Sequence, residues 1–355
     1  MKMSVTRAGY FHRVAEKTPT RLWINNVTPK EARLALEAGA VGCTQNPTYP
    51  YKMLTHPVDS ERSWAVLDDI LAAEKDDGKA QGLFQYTMVK EIAKEFLPLY
   101  NSSSARMGFV TIQADPFHEQ SDFILEWARL HCTEYPNIMA KIPAIPAGFA
   151  AMETLLAEGH PILATEVMSV SQMLDCAELY EEFLKKNGKA PVMYFAHIPG
   201  IFDEYIAQTV KRDGINISDE YIKQGGIAIA KRICSIAAER HYRIGLCSGG
   251  ARALYHFTDL VGAPWSITIN WQGAADALIA QDPPLTEPAL DPTPFQLTRE
   301  LCDKVPDFKK AYEEKGLSPA EYETFGPVAL FRSNFESGWE KTLALIAQRR
   351  KEKGR

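Results

Sequence analysis

Lys141 is the residue whose type and surroundings most suggest chemistry. It stands in the run Ile138-Met139-Ala140-Lys141-Ile142-Pro143-Ala144, apolar on both sides and without an acidic neighbour in sequence. A charged ammonium in such a strand is costly, and desolvation favours its neutral form. A neutral amine is the nucleophile that forms a Schiff base with a carbonyl substrate. The alternative at this point is a lysine that snorkels from a strand end to water. His197, at the end of another apolar run, could titrate near neutrality and serve as acid or base. Its competing role is a hydrogen-bonded rim histidine. Ser248, Gly249 and Gly250 precede a helix-like segment, where backbone amides could bind an anion.

These residues need elements to position them. Eight short apolar runs recur, each followed by a helix-like stretch: 21–26, 39–46, 107–114, 137–144, 161–168, 190–198, 243–249 and 264–270. Most are rich in β-branched or aromatic residues and bounded by Gly, Pro or Asn. Thr28-Pro29-Lys30-Glu31 reads as a capping box with Pro at the first helical position. The stretch 169–189 opens on a Ser cap and ends at Gly188 behind two lysines. Alternating strands and helices imply parallel pairing with right-handed crossovers. Eight such units fit a closed (β/α)8 TIM barrel, with an open eight-stranded sheet as the structural alternative.

Residues 53–106 are too many for one loop and should form a helical insertion of two or three helices. Nothing beyond about 271 has a strand pattern. The expected division is therefore a barrel over 1–270 and a helical C-terminal extension over 271–355.

In such a barrel catalytic groups lie at the C-terminal ends of the strands. Those ends are Asn25, Thr44 and Asn46, Gln113 and Asp115, Lys141, Thr165, Ala196 and His197, Ser248, and Asn270. Asp115 also reads as a cap for the next helix. Glu166 follows Thr165 and, by strand alternation, should point to the helix layer unless a bulge turns it inward.

Composition bounds the function. The 355 residues are 46% hydrophobic and 24% charged, with 39 basic against 45 acidic residues and a net charge of −6. That excludes a mainly disordered chain and gives no electrostatic footprint for sequence-independent nucleic-acid binding. Six singly spaced cysteines make no CxxC pair, which predicts reduced thiols in a cytoplasmic protein. No apolar run reaches the length of a membrane span. Zinc and dinucleotide patterns are missing from the strand–helix turns, so no cofactor is expected.

Three segments carry a resemblance. Residues 141–172, from Lys141 through Gly148 to Thr165, Ser171 and Gln172, resemble the Schiff-base region of the transaldolase family. Cys43-Thr44-Gln45-Asn46-Pro47-Thr48 resembles that family's Thr-Thr-Asn-Pro-Ser segment, and residues 247–270 resemble its seventh and eighth units. The resemblance covers roughly residues 20–270. It implies a (β/α)8 barrel with the Schiff-base lysine on the fourth strand, where Lys141 lies.

Carried over position by position, the resemblance makes Lys141 the imine-forming residue. Asn46 then orients the substrate and Thr165 holds the catalytic water. Gln113 occupies the place of the acid/base glutamate, as in the fructose 6-phosphate aldolase branch. Asn25 stands where the first-strand aspartate takes the hydroxyl proton during carbon–carbon cleavage. Arg252 matches one of two phosphate-binding arginines, while the other falls on Ile201, and Leu163 replaces an asparagine.

Asn25 and Gln113 remove two ionisable groups from the expected relay, so His197 and Asp115 become candidate replacements. Losing one arginine points to a weaker phosphate site or an uncharged substrate end. Ser248 and His197 join Asn46 and Arg252 as expected substrate contacts.

Three activities follow from the resemblance. A transaldolase would move a three-carbon ketol unit between sugars, as in the pentose phosphate pathway. A class I aldolase would cleave or join a sugar-like substrate by the same chemistry. A non-catalytic homologue would only bind sugar. The expected partner is a small-molecule sugar or sugar phosphate, and a homo-oligomer is left open.

Overall fold

The computed structural model describes residues 9–354. Eight parallel strands close into a barrel in sequence order. They are β1 (Arg21–Asn25), β2 (Gly42–Thr44), β3 (Phe109–Ile112), β4 (Ile138–Pro143), β5 (Ile162–Val167), β6 (Met193–His197), β7 (Gly245–Ser248) and β8 (Trp265–Asn270). β8 closes on β1 with Asn270 beside Asn25. Each strand falls within one of the eight apolar runs, and the open-sheet alternative is excluded.

Helices α1 (Tyr10–Lys17) and α2 (Pro29–Glu37) flank β1, and α3 (Tyr49–Thr55), α4 (Ser60–Ala73) and α5 (Asp77–Ser102) follow β2. The layer continues with α6 (Ser121–His131), α7 (Pro146–Glu158), α8 (Val170–Asn187), α9 (Pro199–Asp213), α10 (Asp219–Glu239) and α11 (Tyr255–Thr258). After β8 come α12 (Asp276–Gln281), α13 (Phe295–Lys304), α14 (Pro306–Tyr312), α15 (Pro319–Tyr322) and the long α16 (Gly326–Lys353). Local chemistry sets the boundaries. At α2 the Thr28 hydroxyl accepts from Glu31 N, and the Glu31 carboxylate accepts from Thr28 N. Ser169 caps α8, which stops at the left-handed Gly188.

The barrel interior has an aromatic floor and a polar top. Trp23 and Tyr194 meet in the floor with ring centroids 5.3 Å apart. A Cβ on Gly42 would lie 2.3 Å from the Trp23 ring, and one on Gly245 would lie 2.3 Å from Tyr194. Only glycine on β2 and β7 leaves room for these rings. Above the floor, strand alternation turns Asn25, Thr44, Lys141, Thr165, Ala196, Thr268 and Asn270 toward a cavity at the C-terminal ends of the strands.

Helix α16 crosses over that end, packing on α3, α5, α9 and β5. Its Gly338 permits the crossing, because a Cβ there would sit 2.6 Å from a methyl of Thr48. No helix among the described residues is long and apolar enough to cross a membrane.

Candidate active site

The cavity over the barrel measures about 300 Å³. Lys141 rises into it from β4 and is 8% exposed. Its Nζ has no hydrogen-bond or ion-pair partner among the described residues, and it lies 4.8 Å from the ring centroid of Phe335 and 5.9 Å from that of Phe331. Those rings supply a weak cation–π attraction and exclude water. Burial lowers the Lys141 pKa from 10.5 to about 8, against an opposing pull from the Glu166 charge. The fraction of free amine at neutral pH is therefore several hundredfold higher than for an ordinary lysine, by the ~2.5-unit difference. Beside it, the Thr165 hydroxyl is buried and unpaired within the described residues, leaving it available to a water or a substrate oxygen.

Asn46 is held by a network that the sequence reading missed. Asn26 adopts a left-handed φ of +45°, which asparagine tolerates. Its Nδ2 donates to Asn46 Oδ1 at 3.0 Å and to Thr48 Oγ1 at 3.1 Å, while its Oδ1 accepts from Asn46 N at 3.0 Å. Lys52 ties the turn down by donating to Asn26 O at 2.7 Å. Asn46 Oδ1 accepts in addition from Thr48 N and Oγ1. With that oxygen saturated, the Asn46 Nδ2 group is left to donate to a ligand.

Asn25 is fixed in a similar way. Its Oδ1 accepts from Thr44 Oγ1 at 3.0 Å, and its Nδ2 donates to Asn270 Oδ1 at 2.9 Å. Thr268 completes the chain at 2.7 Å from the Thr44 hydroxyl. Among the described residues the cavity lining offers amide and hydroxyl groups and no carboxylate.

Several expected contacts are corrected. His197 is fully buried and points away from the cavity, with Nδ1 at 2.9 Å from Val167 O and Nε2 at 3.1 Å from Gly226 O. Burial is the largest influence on its pKa and pushes it down to about 4, against the two carbonyl oxygens, which favour a protonated ring. Ser248 is likewise buried and does not line the cavity, whereas Gly249 and Gly250 do. Asp115 does not line this cavity either. It accepts from Phe117 N at 2.9 Å and sits 2.9 Å from His118 Nδ1, closing a turn well before α6 begins.

Arg252 does reach the cavity rim, but its Nε is paired with Glu204 on α9 at 2.9 Å. Ile201 is buried and Leu163 lines the cavity. Gln113 is buried at the end of β3, outside the cavity lining.

The largest departure is Glu166. Between Ala164 and Val167, β5 advances three residues while β6 advances two, so one residue is extruded as a bulge. Glu166 takes a φ of +63°, and its carboxylate, fully buried, accepts from Gln113 Nε2 at 3.3 Å. The expectation that it faces the helix layer is overturned, because the bulge breaks the alternation on which it rested. Gln172 buttresses this bend. Its Nε2 donates to Glu166 O and to Ala144 O, both at 3.0 Å, and its Oε1 accepts from Met168 N at 2.9 Å. The lid residues Phe331, Asn334 and Phe335 are the other contributors that strand reading could not reach.

The barrel has relatives. A family model described as Transaldolase/Fructose-6-phosphate aldolase matches residues 22–284. Among curated relatives, a transaldolase of Thiobacillus denitrificans is 24% identical over 179 residues, 47% of this chain and 48% of the relative. One of Neisseria gonorrhoeae is 23% identical over 222 residues, 59% of this chain and 61% of the relative. One of Saccharopolyspora erythraea is 28% identical over 179 residues, 47% of this chain and 48% of the relative. The chain thus spans about half to three fifths of the length of these relatives. Because the family match runs from the first strand past the eighth, the chain belongs to the Transaldolase/Fructose-6-phosphate aldolase family.

Proposed function

We propose that the protein is a transaldolase-like enzyme that transfers a three-carbon ketol unit between sugars through a Schiff base on Lys141. The observation that carries this reading is the unpaired Lys141 amine, buried in a hydroxyl- and amide-lined cavity with its pKa lowered to about 8. Burying a lysine without a partner is unfavourable, and sugar binding alone does not require it. Imine chemistry does, because it needs a free amine near neutral pH. This weighs against a non-catalytic homologue.

In the reaction, Lys141 Nζ attacks the ketone carbon and water leaves, giving an iminium ion. The iminium takes up the electron pair of the carbon–carbon bond that breaks, the hydroxyl proton passes to the water held at Thr165, and the departing aldehyde keeps the hydroxyl oxygen. The retained three-carbon enamine then adds to an acceptor aldehyde, whose oxygen takes that proton back, and hydrolysis of the new iminium frees Lys141. Asn46 Nδ2 and Thr165 Oγ1 are the groups assigned to the substrate hydroxyls and the water. No cofactor enters this scheme.

A class I aldolase is the second reading. It is favoured by Gln113, which stands where the fructose 6-phosphate aldolase branch has glutamine, whereas Asn25, unable to act as a carboxylate base, favours the non-catalytic homologue. The substrate class is the same in both readings: a small ketose whose far end is uncharged or only weakly held, since Glu204 already engages Arg252. Borohydride reduction in the presence of a ketose should leave a covalent adduct on Lys141. Assays with and without an acceptor aldose then separate transferase from lyase. No adduct with any of fructose, fructose 6-phosphate or dihydroxyacetone would reject both.

A further inference from the structure

We propose that Glu166 and Glu119 form a proton relay for the imine chemistry of Lys141, standing in for a carboxyl at the end of β3, where Gln113 is found. This rests on the Schiff-base reading of Lys141.

The argument begins with strain. A non-glycine residue in the left-handed region is unusual, and for glutamate nothing local compensates it. Such outliers concentrate where the surrounding structure enforces them for function. Here Gln172 enforces it with two hydrogen bonds to carbonyl oxygens. The outcome is a carboxylate with no solvent exposure, delivered across the end of β4 to Gln113 on β3. A leucine or methionine would fill the same volume without desolvating a charge.

The charged groups facing Glu166 come from three directions. Lys141 lies on β4 and lines one small cavity together with Gln113 and Glu119, and its charge and that of Glu166 stabilise one another. Glu119 lies in the loop before α6, and Arg332 on α16. Arg332 Nη2 is 2.7 Å from Glu119 Oε2 and 3.5 Å from Glu166 Oε2, and its Nη1 is 3.7 Å from Glu323. The Cys247 thiol on β7, kept protonated by burial, adds no charge to the group. Arg332 contacts all three carboxylates, and the second cation, Lys141, must lose its charge before it can attack a ketone. With Lys141 neutral, the Glu119 and Glu166 carboxyls hold one proton between them, both pushed up by burial first and, for Glu119, by the Glu166 charge next. On the far side, Glu119 and Arg332 line a second cavity of about 380 Å³ together with Glu323 and Glu336. That cavity gives the shared proton a way to exchange with solvent.

The relay fits the step that needs it. When the neutral Lys141 amine adds to a ketone, the N–C bond forms and the amine proton passes to the former carbonyl oxygen. Loss of that oxygen as water breaks the C–O bond and consumes one further proton, which the carboxyl pair supplies. Hydrolysis of the final imine returns it.

The test is the rate of borohydride-trapped imine formation with dihydroxyacetone, measured by intact-protein mass spectrometry from pH 6 to 10. In the parent the rate should rise as Lys141 deprotonates near pH 8 and decline at higher pH, once the pair loses its proton. Glu166→Gln should slow imine formation about 10²–10⁴-fold at pH 7.5, the usual range for acid–base catalysis. It should also abolish the alkaline decline and leave the final imine yield after long incubation unchanged. Glu119→Gln, on a loop and less bound up with the bulge, should do the same and decides the matter if Glu166→Gln does not fold.

A purely electrostatic or structural role predicts the opposite. Without the Glu166 charge the Lys141 pKa falls and imine forms at the parent rate or faster. That result overturns the relay while leaving Lys141 as nucleophile. Absence of any imine in the parent overturns the Schiff-base reading and the relay with it.

Discussion

Burial of the Lys141 amine costs stability. Its folded-state pKa of about 8 lies below the unfolded 10.5. Above pH 10.5 both states are neutral. As pH falls from 10.5 to 8 the unfolded chain takes up a proton that the folded one does not, so stability declines across that window and stays reduced below it. The difference amounts to about 3 kcal/mol. Lys141→Met should therefore raise the unfolding free energy at pH 7 by up to about 3 kcal/mol, read from urea denaturation, and should lose that advantage at pH 11. An unchanged or lower stability would mean that the ammonium is better accommodated than its burial suggests. Lys141 was legible in the sequence because charge in an apolar strand is anomalous. His197 and Ser248 were misread for want of parity. Ala196 and Thr268 face the cavity, so with period-two alternation His197, next to Ala196, must face out. Cys247 is the β7 residue that senses Lys141, and Ser248 follows it.

At the scale of elements, all eight strands could be read from apolar runs punctuated by turn residues, and the long gap after β2 did hold helices. The bulge in β5 was not readable, since no residue in Ala164-Thr165-Glu166-Val167 is one that favours a left-handed backbone. It is specified from a distance by Gln172, one turn into the next helix. Gln172→Leu keeps the volume but strands Glu166 O, Ala144 O and Met168 N without their partner. Buried groups left unpaired cost about 1–3 kcal/mol each, and relaxation of the bend recovers part of that. The expected loss is roughly 3 kcal/mol in thermal or chemical unfolding, together with slowed imine formation as Glu166 loses its seat. Loss of stability without any kinetic effect would detach the bulge from the chemistry. Helix α16 was legible as a helix, but its place as the roof over Lys141 was not. Phe331, Asn334 and Phe335 share one helical face, and sequence spacing says nothing about which surface that face covers.

The molecule as a whole carries a net charge of −6, and at the cavity rim Glu204 occupies Arg252. Both work against an anionic substrate end. Glu204→Gln frees the guanidinium, and a charge-assisted hydrogen bond to a phosphate contributes about 1.5 kcal/mol or more. Titration calorimetry should then show fructose 6-phosphate binding about tenfold more tightly than to the parent, with the gain removed by adding Arg252→Ala. Equal affinity in parent and variant would place the phosphate elsewhere. Barrel, roof and rim together enclose an amide- and hydroxyl-lined cavity around the buried Lys141 amine, and the proposed function makes that amine the group that becomes covalently bound to substrate. The most direct test of that covalent step is borohydride reduction of the protein with fructose or dihydroxyacetone, followed by peptide mapping. The account predicts a single reduced adduct on the peptide containing Lys141, absent from a folded Lys141→Met variant. An adduct that persists in that variant, or that maps to another lysine, would contradict it.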